Sequence, residues 1–279
     1  RRGLSGEILL YISNFFNLKF RFLIFLFQTF FHISYFCLIY NYFKNVKINI
    51  IQIFAFFSPI FLLYPVAEIE VLGRKEVILF SFFILLMIFS GKDFNKNYVN
   101  VTTFTILPLI CLTWELVVLF APYILVLVII KNEYKNFYVA FKNSFVIFLP
   151  TILSIIFIFL TPLSQEGHKE MCDILLNEFG EKCYMSANLL VANTIYFSTF
   201  DWVHNKAHME HYIRYILIFL IGFFPLNLLV YKNNFLKKND FIVSNFKPHI
   251  LFFLLYSPSI LLFMYGYDWG RWVNITYSF

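Results

Sequence analysis

The sequence predicts an all-α protein that crosses a membrane as a polytopic bundle of about eight helices. The 279-residue chain is 60% hydrophobic and only 14% charged, whereas a soluble domain of this length exposes far more charge. Several nearly uncharged windows of about 17 to 22 residues match the length that a helix needs to cross a bilayer. These windows are continuously apolar rather than alternating, which argues against a transmembrane barrel.

Hydropathy predicts where the spans lie. They are 22–43, 48–66, 77–90, 99–113, 114–130, 144–162, 212–231 and 249–266. The stretch 99–130 is too long for one span, and Pro108, Pro122 and the Trp114–Glu115 pair interrupt it. We interpret it as a hairpin of two short spans with Glu115 near the turn. The alternative is one kinked span, which places Glu115 in the middle of the membrane.

The whole chain, residues 1–279, is predicted to form a single transmembrane domain with a polar outer loop at 163–211. It starts with Arg1, and its last segment, VNITYSF, looks like the start of another span. We therefore expect a fragment of a longer protein. No Walker loop, dinucleotide fingerprint or nucleophile elbow occurs, and we expect no cofactor. The basic residues are scattered lysines on short loops, which does not indicate nucleic-acid binding.

The polar loop sets the predicted orientation. Cys172 and Cys183, with ten residues between them, suit a disulfide, which requires an oxidising compartment. Cys37 and Cys111 lie in apolar spans and are interpreted as packing residues. With the polar loop outside, the inner loops are 44–47, 91–98, 131–143 and 232–248. Their lysine density exceeds that of the outer segments, in agreement with the positive-inside rule.

All arginines fall on the outer side in this orientation, and the inner loops carry only lysine. The arginines are Arg1, Arg2, Arg21, Arg74, Arg214 and Arg271. Lysine is sufficient for topology, whereas the planar guanidinium fork grips phosphate or carboxylate at two points. The outer face is therefore predicted to handle an anion.

Two outer segments combine cations with acids. In RRGLSGE, Arg1 and Arg2 would hold a diphosphate at the membrane surface, or they would serve as an interfacial anchor. EIEVLGRKE lies between two spans and contains Arg74 and Glu76. Glu76 starts a span, where a buried carboxylate would act as a base. The alternative for this segment is a solvated loop with internal ion pairs.

Two further segments contain candidate functional residues. LTWELVVLFAP surrounds Glu115 with apolar residues, and ionisable groups at membrane depth are functional by default. In FDWVHNKAHMEHYIR, His204 and His208 are spaced i,i+4 and share one face of a helix. They would contact substrate or bind zinc, or they would lie at a wet interface. The HExxH pattern is absent, and we expect no metal.

The segment DWGRW follows the last predicted span. Trp269 and Trp272 suit the level of the lipid headgroups. Asp268 and Arg271 are spaced i,i+3, so on a helix the acid would orient the guanidinium toward a ligand. Gly270 allows a close approach of the backbone. The alternative is a self-paired membrane anchor.

Together these segments resemble the polytopic membrane proteins of bacterial surface-polysaccharide loci. The likeness rests on RRGLSGE, GRKE, the acid in an oily helix, the cysteine-bearing outer loop and DWGRW. It covers most of the chain and points to O-antigen or capsule polymerases and to glycosyltransferases that use lipid-linked sugars. The family implies a multi-pass enzyme of the bacterial inner membrane. It also implies undecaprenyl-diphosphate-linked glycans as substrates at the periplasmic face.

The resemblance implies that outer arginines bind the diphosphate or acidic sugars. Transfer of a glycan to a sugar hydroxyl requires cations that stabilise the leaving diphosphate and a base for the acceptor. The candidates are Arg74 and Arg271, with Arg1 and Arg2 possible, for the cations, and Glu76, Glu115 and Asp268 for the base.

Two other functions are consistent with the sequence. A transporter or flippase for a lipid or anionic solute would bind through the same arginines without chemistry, and Pro108 and Pro122 hint at the broken spans it needs. A non-catalytic subunit of a larger complex requires no convergence of the charged segments. Convergence of Arg74, Glu115 and Arg271 around one outer cavity favours an enzyme or a transporter.

Overall fold

The structure is a computed structural model that describes residues 3–44, 48–58, 60–61, 75–91, 94–134, 136–161, 164–180, 209–233, 255–258, 260–263 and 269–279. These residues form helices and short connections, and no strand occurs among them. Four of the described helices are long and apolar enough to cross a membrane: Phe20–Phe43, Glu115–Asn132, Tyr138–Leu160 and Met209–Leu228. The all-α membrane class is therefore supported, with four candidate spans in the described residues where the sequence predicts eight in the whole chain.

The helices alternate with short connections along the described residues. In chain order they are α1 (Gly3–Phe16), α2 (Phe20–Phe43), α3 (Ile50–Phe56), α4 (Glu76–Phe89), α5 (Lys96–Thr113), a 3₁₀ helix (Glu115–Phe120), α6 (Ala121–Asn132), α7 (Phe137–Leu160), α8 (Gln165–Phe179), α9 (Met209–Asn233) and α10 (Trp269–Ser278).

The stretch 99–130 forms a hairpin. Helix α5 ends before Trp114, whose backbone is extended (φ −151°, ψ 104°), and the 3₁₀ helix and α6 then return along it. At the far end, the side-chain amides of Asn100 and Asn132 donate to each other's oxygens over 3.0 and 2.8 Å. The two arms are therefore antiparallel. We call the end with Thr113–Glu115 the turn end and the end with Asn100 and Asn132 the amide end.

Helix α4 runs from the turn end to the amide end. At its start, Lys75 Nζ donates to the Thr113 carbonyl oxygen over 3.0 Å. At its end, Lys131 Nζ donates to the carbonyl oxygens of Ser90 and Gly91 over 3.2 and 2.6 Å. Lysine thus satisfies helix-terminal carbonyls that have no partner within the helix. Lys75, which directly precedes α4, is thereby brought to the hairpin turn.

Helix α7 packs most extensively against α5. Buried small residues mark both helices, with Ala140, Ser144 and Thr151 on α7 and Thr103 on α5. Small residues allow two helix backbones to approach closely where lipid removes the hydrophobic drive for association. This packing places α7 beside the hairpin.

Helix α10 lies in the core, because every residue from Trp272 to Tyr277 is buried. Asn274 Nδ2 donates to the carbonyl oxygens of Ile60 and Phe61 over 2.8 and 3.3 Å. The Tyr277 hydroxyl donates to the Ala55 carbonyl oxygen over 3.0 Å. These bonds satisfy backbone carbonyl oxygens in the last turn of α3 and shortly after it, so the last segment of the sequence holds the short α3 in place.

Several predicted boundaries differ from the structure. A continuous span at 48–66 does not form, since α3 ends at Phe56 and Ser58 lies outside any helix. Ser58 precedes Pro59, and the residue before a proline is disfavoured in helical conformation. Of the predicted span 249–266, residues 255–258 and 260–263 are described, and both pieces are helical.

Two of the predicted inner loops are shorter than the sequence indicates. Asn95 and Asn136 accept hydrogen bonds from the backbone N–H groups of Asn97 and Tyr138, over 3.1 and 2.9 Å. These N-caps start α5 and α7 before their apolar runs begin, so the loops shrink from 91–98 and 131–143. Residues 44–47 and 232–248 fall largely outside the described residues.

The start of the polar loop 163–211 is helical rather than irregular. Helix α8 covers Gln165–Phe179, and within it Cys172 Sγ lies 3.6 Å from His168 Nε2. Hydropathy overlooked this helix because its charged residues mask its apolar face. Cys183 lies outside the described residues, so the disulfide with Cys172 stays a prediction.

Candidate functional site

Charged and aromatic side chains from three separate segments meet at the turn end. The start of α4, the hairpin turn and the first turn of α10 each contribute. Polar residues that precede an apolar helix lie at the end of the bundle where that helix starts. The three segments lie at the same end. The turn-end cluster consists of Lys75, Glu76, Trp114, Glu115, Arg271 and Trp272.

A buried ion pair lies at the centre of the cluster. Arg271 Nη2 contacts Glu76 Oε1. The Glu76 side chain is 5% exposed and the Arg271 side chain is 20% exposed, so the guanidinium is the more accessible partner. A buried charge is costly unless it is paired, and loss of either partner leaves the other uncompensated.

Two indole rings flank the arginine. Arg271 Cζ lies 4.8 Å from the ring centroid of Trp272 and 5.6 Å from that of Trp114. Both distances are within the range of about 6 Å for cation–π attraction. Both tryptophans are buried, so Trp272 is a wall of the cluster rather than an anchor in the lipid headgroups. The rings and the carboxylate together fix the orientation of the fork.

Lys75 is held between the hairpin turn and the start of α1. A Cβ atom at Gly3 would lie 3.3 Å from Lys75 Nζ and 2.9 Å from the Thr113 carbonyl oxygen, and the φ of Gly3 is +71°. Both the space and the backbone conformation therefore require glycine here. Burial lowers the pKa of the Lys75 ammonium, and the nearby Glu115 and Glu76 carboxylates act in the opposite direction.

Glu115 is exposed at the hairpin turn, where it starts the 3₁₀ helix. Of the two alternatives from the sequence, the hairpin is the one that the structure contains, and Glu115 is not in the middle of a continuous span. Its carboxylate is close enough to Lys75 to oppose the lowering of that lysine's pKa by burial. Glu115 is therefore the accessible carboxylate of the turn-end cluster.

The structure brings three of the predicted site residues together, namely Glu76, Glu115 and Arg271. Of the other predicted site residues, Cys172 lies in α8, and the rest lie outside the described residues: Arg1, Arg2, Arg74, His204, His208, Asp268 and Cys183. The proposed orientation of Arg271 by Asp268 is thus not described, whereas its contact with Glu76 is. No group of three or more His, Cys, Asp or Glu side chains suited to a metal occurs in the described part of the chain.

Sequence reasoning missed the two tryptophans as walls of the cluster and Lys75 as a member of it. Trp114 was recognisable only as an interruption of the stretch 99–130, next to Glu115. Lys75 was one charge of a dense loop. Periodicity shows which residues share one helix face, but it does not show which helix ends meet.

Arg271 and Lys75 supply cations of different shape, and Glu115 supplies an exposed carboxylate. A guanidinium fork and an ammonium together suit a phosphate group. A carboxylate within reach of an acceptor hydroxyl accepts its proton. The cluster thus contains the residue types that transfer from a phosphate leaving group requires.

No protein-family model, curated protein or solved structure matches the chain. The resemblance to surface-polysaccharide proteins therefore stays a hypothesis based on short segments.

Proposed function

We propose that this chain is a membrane enzyme of surface-polysaccharide assembly. It transfers or polymerises glycans linked to a lipid diphosphate at the periplasmic face of the bacterial inner membrane. The observation that carries the proposal is the convergence of Arg271, Lys75 and Glu115 at one end of an apolar helical bundle. A non-catalytic subunit has no need of such convergence.

The chemistry of a lipid diphosphate matches the two parts of this arrangement. Its isoprenoid chain lies in the bilayer against apolar helices such as α2 and α7. Its diphosphate then lies at the level of the helix ends, where Arg271 and Lys75 are found. When the glycosidic bond to the diphosphate breaks, negative charge develops on the leaving group, and positioned cations stabilise that charge.

Glu115 is the base that the described residues favour for the acceptor hydroxyl. Glu76 is buried and engaged by Arg271, whereas Glu115 is exposed at the rim of the same cluster. A base must lie within hydrogen-bond reach of the proton that it removes, directly or through one water. An accessible carboxylate beside the diphosphate site meets this requirement.

Reconstitution tests the proposal directly. The purified chain is placed in liposomes with an undecaprenyl-diphosphate-linked oligosaccharide, and the products are sized after release from the lipid. We expect longer glycans with the wild type and no lengthening with Glu115→Gln, which should still bind the lipid. Lipid movement between leaflets without a new glycosidic bond would assign the site to transport instead. If neither activity is detected, the result favours a non-catalytic subunit.

A further inference from the structure

We propose that Glu76 is an internal competitor that occupies the fork of Arg271 until a lipid diphosphate displaces it. This inference rests on the proposed function, because it concerns regulation of the same site. The residue predicted from sequence as a catalytic base would then control access to the anion-binding arginine.

The two anions compete because they use the same contacts. A guanidinium presents parallel N–H donors that fit a carboxylate or a phosphate equally well in geometry. The Glu76 carboxylate contacts Arg271 at Nη2, on the planar group that a phosphate requires. As long as this contact persists, the net charge offered by Arg271 to an incoming anion is largely neutralised.

The pair is incompletely satisfied, which distinguishes it from a structural lock. Glu76 is buried, yet its Oε2 has no hydrogen-bond donor among the described residues. The buried Trp272 Nε1 likewise has no acceptor among them. A buried ion pair contributes stability only when its remaining polar atoms are also hydrogen-bonded. Two unmatched polar atoms beside the fork leave capacity for a ligand oxygen and donor.

The exposed fractions of the two side chains determine how a ligand would replace Glu76 at Arg271. Arg271 is the more exposed partner, and Glu76 lies deeper at the start of α4. A ligand therefore reaches the guanidinium first and need not pass the carboxylate.

A released Glu76 is not left alone. Lys75 precedes it in the chain, and the Glu76 carboxylate already acts on the Lys75 ammonium through its charge. When an anion takes Arg271, the two carboxylates of the cluster share this ammonium. The cluster can thus exchange one partner for another without leaving a buried charge uncompensated.

Binding of a soluble lipid diphosphate tests the competition. The probes are farnesyl diphosphate and inorganic pyrophosphate, titrated calorimetrically into the full chain in detergent. Glu76→Gln removes the competing charge and keeps the shape, so we expect its Kd for farnesyl diphosphate to fall by about tenfold, as when a self-occupied state is removed. The matched control Glu133→Gln removes an exposed carboxylate next to Asn132, at the amide end of the hairpin, and should change Kd by less than about twofold.

A second variant keeps the test sharp if the amide destabilises the fold. Glu76→Asp retains the charge and withdraws the carboxylate by one methylene, so it should also tighten binding, though less. Equal or weaker binding by a folded Glu76→Gln overturns the inference, and so does unfolding of both variants, which would make the pair a structural lock.

The two proposals fail differently. Wild-type binding that is lost in Arg271→Lys but not improved in Glu76→Gln removes the competitor alone. If neither the wild type nor Glu76→Gln binds either probe, both proposals fall. Binding of pyrophosphate as tight as that of farnesyl diphosphate assigns the site to free phosphate rather than a lipid headgroup, which overturns the lipid displacement.

Discussion

At the scale of single residues, Arg271 shows why the identity of a cation matters. It contacts Glu76 and lies within cation–π distance of two indole rings. A lysine would supply the charge but neither the flat face nor the pair of parallel donors. The composition uses lysine as its common cation, so an arginine in this position indicates a need for the fork.

The pKa of Lys75 predicts a pH-dependent stability. Because burial lowers this pKa below the usual 10.5, the unfolded chain binds more protons than the folded chain between the two values. The free energy of unfolding therefore rises with pH across that window. We expect the Tm of the wild type to rise relative to the Tm of Lys75→Met as pH increases toward 10.5. Parallel curves for the two proteins would contradict a charged, buried Lys75.

The partner of Arg271 marks the limit of prediction at this scale. The sequence indicated Arg271 because an arginine stands where the composition favours lysine. It indicated Asp268 as the partner because the two residues are one helical turn apart. Among the described residues Arg271 pairs with Glu76, from the other half of the chain, whereas Asp268 lies outside them and its pairing stays a prediction. Helical periodicity detects neighbours on one helix, whereas this contact depends on how α4 and α10 are arranged in space.

At the scale of elements, the hairpin of α5 and α6 was predicted from its length and its prolines, and the structure contains it. Its boundaries were less accurate, because hydropathy follows apolar residues while Asn95 and Asn136 cap helices before those residues begin. Hydropathy therefore assigns the polar residues at the start of these helices to the preceding loops. The close approach of Gly3 to Lys75 and Thr113 has no signal in hydropathy at all.

The reciprocal amide bonds at the amide end predict a measurable coupling within the hairpin. Asn100→Ala and Asn132→Ala should each lower stability, since each removes both reciprocal hydrogen bonds. The double variant should cost less than the sum, with a coupling of about 1 kcal/mol, as between polar side chains of membrane helices. Equilibrium unfolding in mixed detergents measures the free energy of unfolding of the wild type, the two single variants and the double variant. Strict additivity would mean that the amides do not interact.

The predicted disulfide joins Cys172, which lies in α8, to Cys183, which follows that helix in the sequence. Under denaturing, non-reducing conditions we expect alkylation of two thiols, Cys37 and Cys111, and protection of Cys172 and Cys183. Reduction should then expose all four cysteines of the chain. Intact-protein mass spectrometry counts the labels. Four labels before reduction would remove the bridge and its support for an outer loop.

At the scale of the whole molecule, the class was readable from composition, but the number of spans was not. Short helices such as α3 and α4 are apolar without reaching a full span. Buried segments such as α10 look like the beginning of a span because core and lipid select the same residues. Function was less accessible still, since it depends on which helix ends converge.

The orientation makes a prediction for the whole chain. Lys131 bonds to Gly91, so the connections after α4 and α6 lie at the same end, as the lysine distribution requires. We expect Lys135→Cys to react with a membrane-impermeant thiol reagent only from the cytoplasmic side and Glu115→Cys only from the opposite side. Periplasmic labelling of Lys135→Cys would reverse the orientation.

The central claim is that the turn-end cluster binds a lipid diphosphate through Arg271. Native mass spectrometry of the purified chain with undecaprenyl diphosphate measures this binding. The wild type should retain the lipid, and Arg271→Lys should lose it by about tenfold or more in affinity while remaining folded, because the charge stays and the fork is lost. The control Arg214→Lys changes an exposed arginine of α9 and should bind as the wild type does. Equal retention of the lipid by Arg271→Lys and the wild type would contradict the claim.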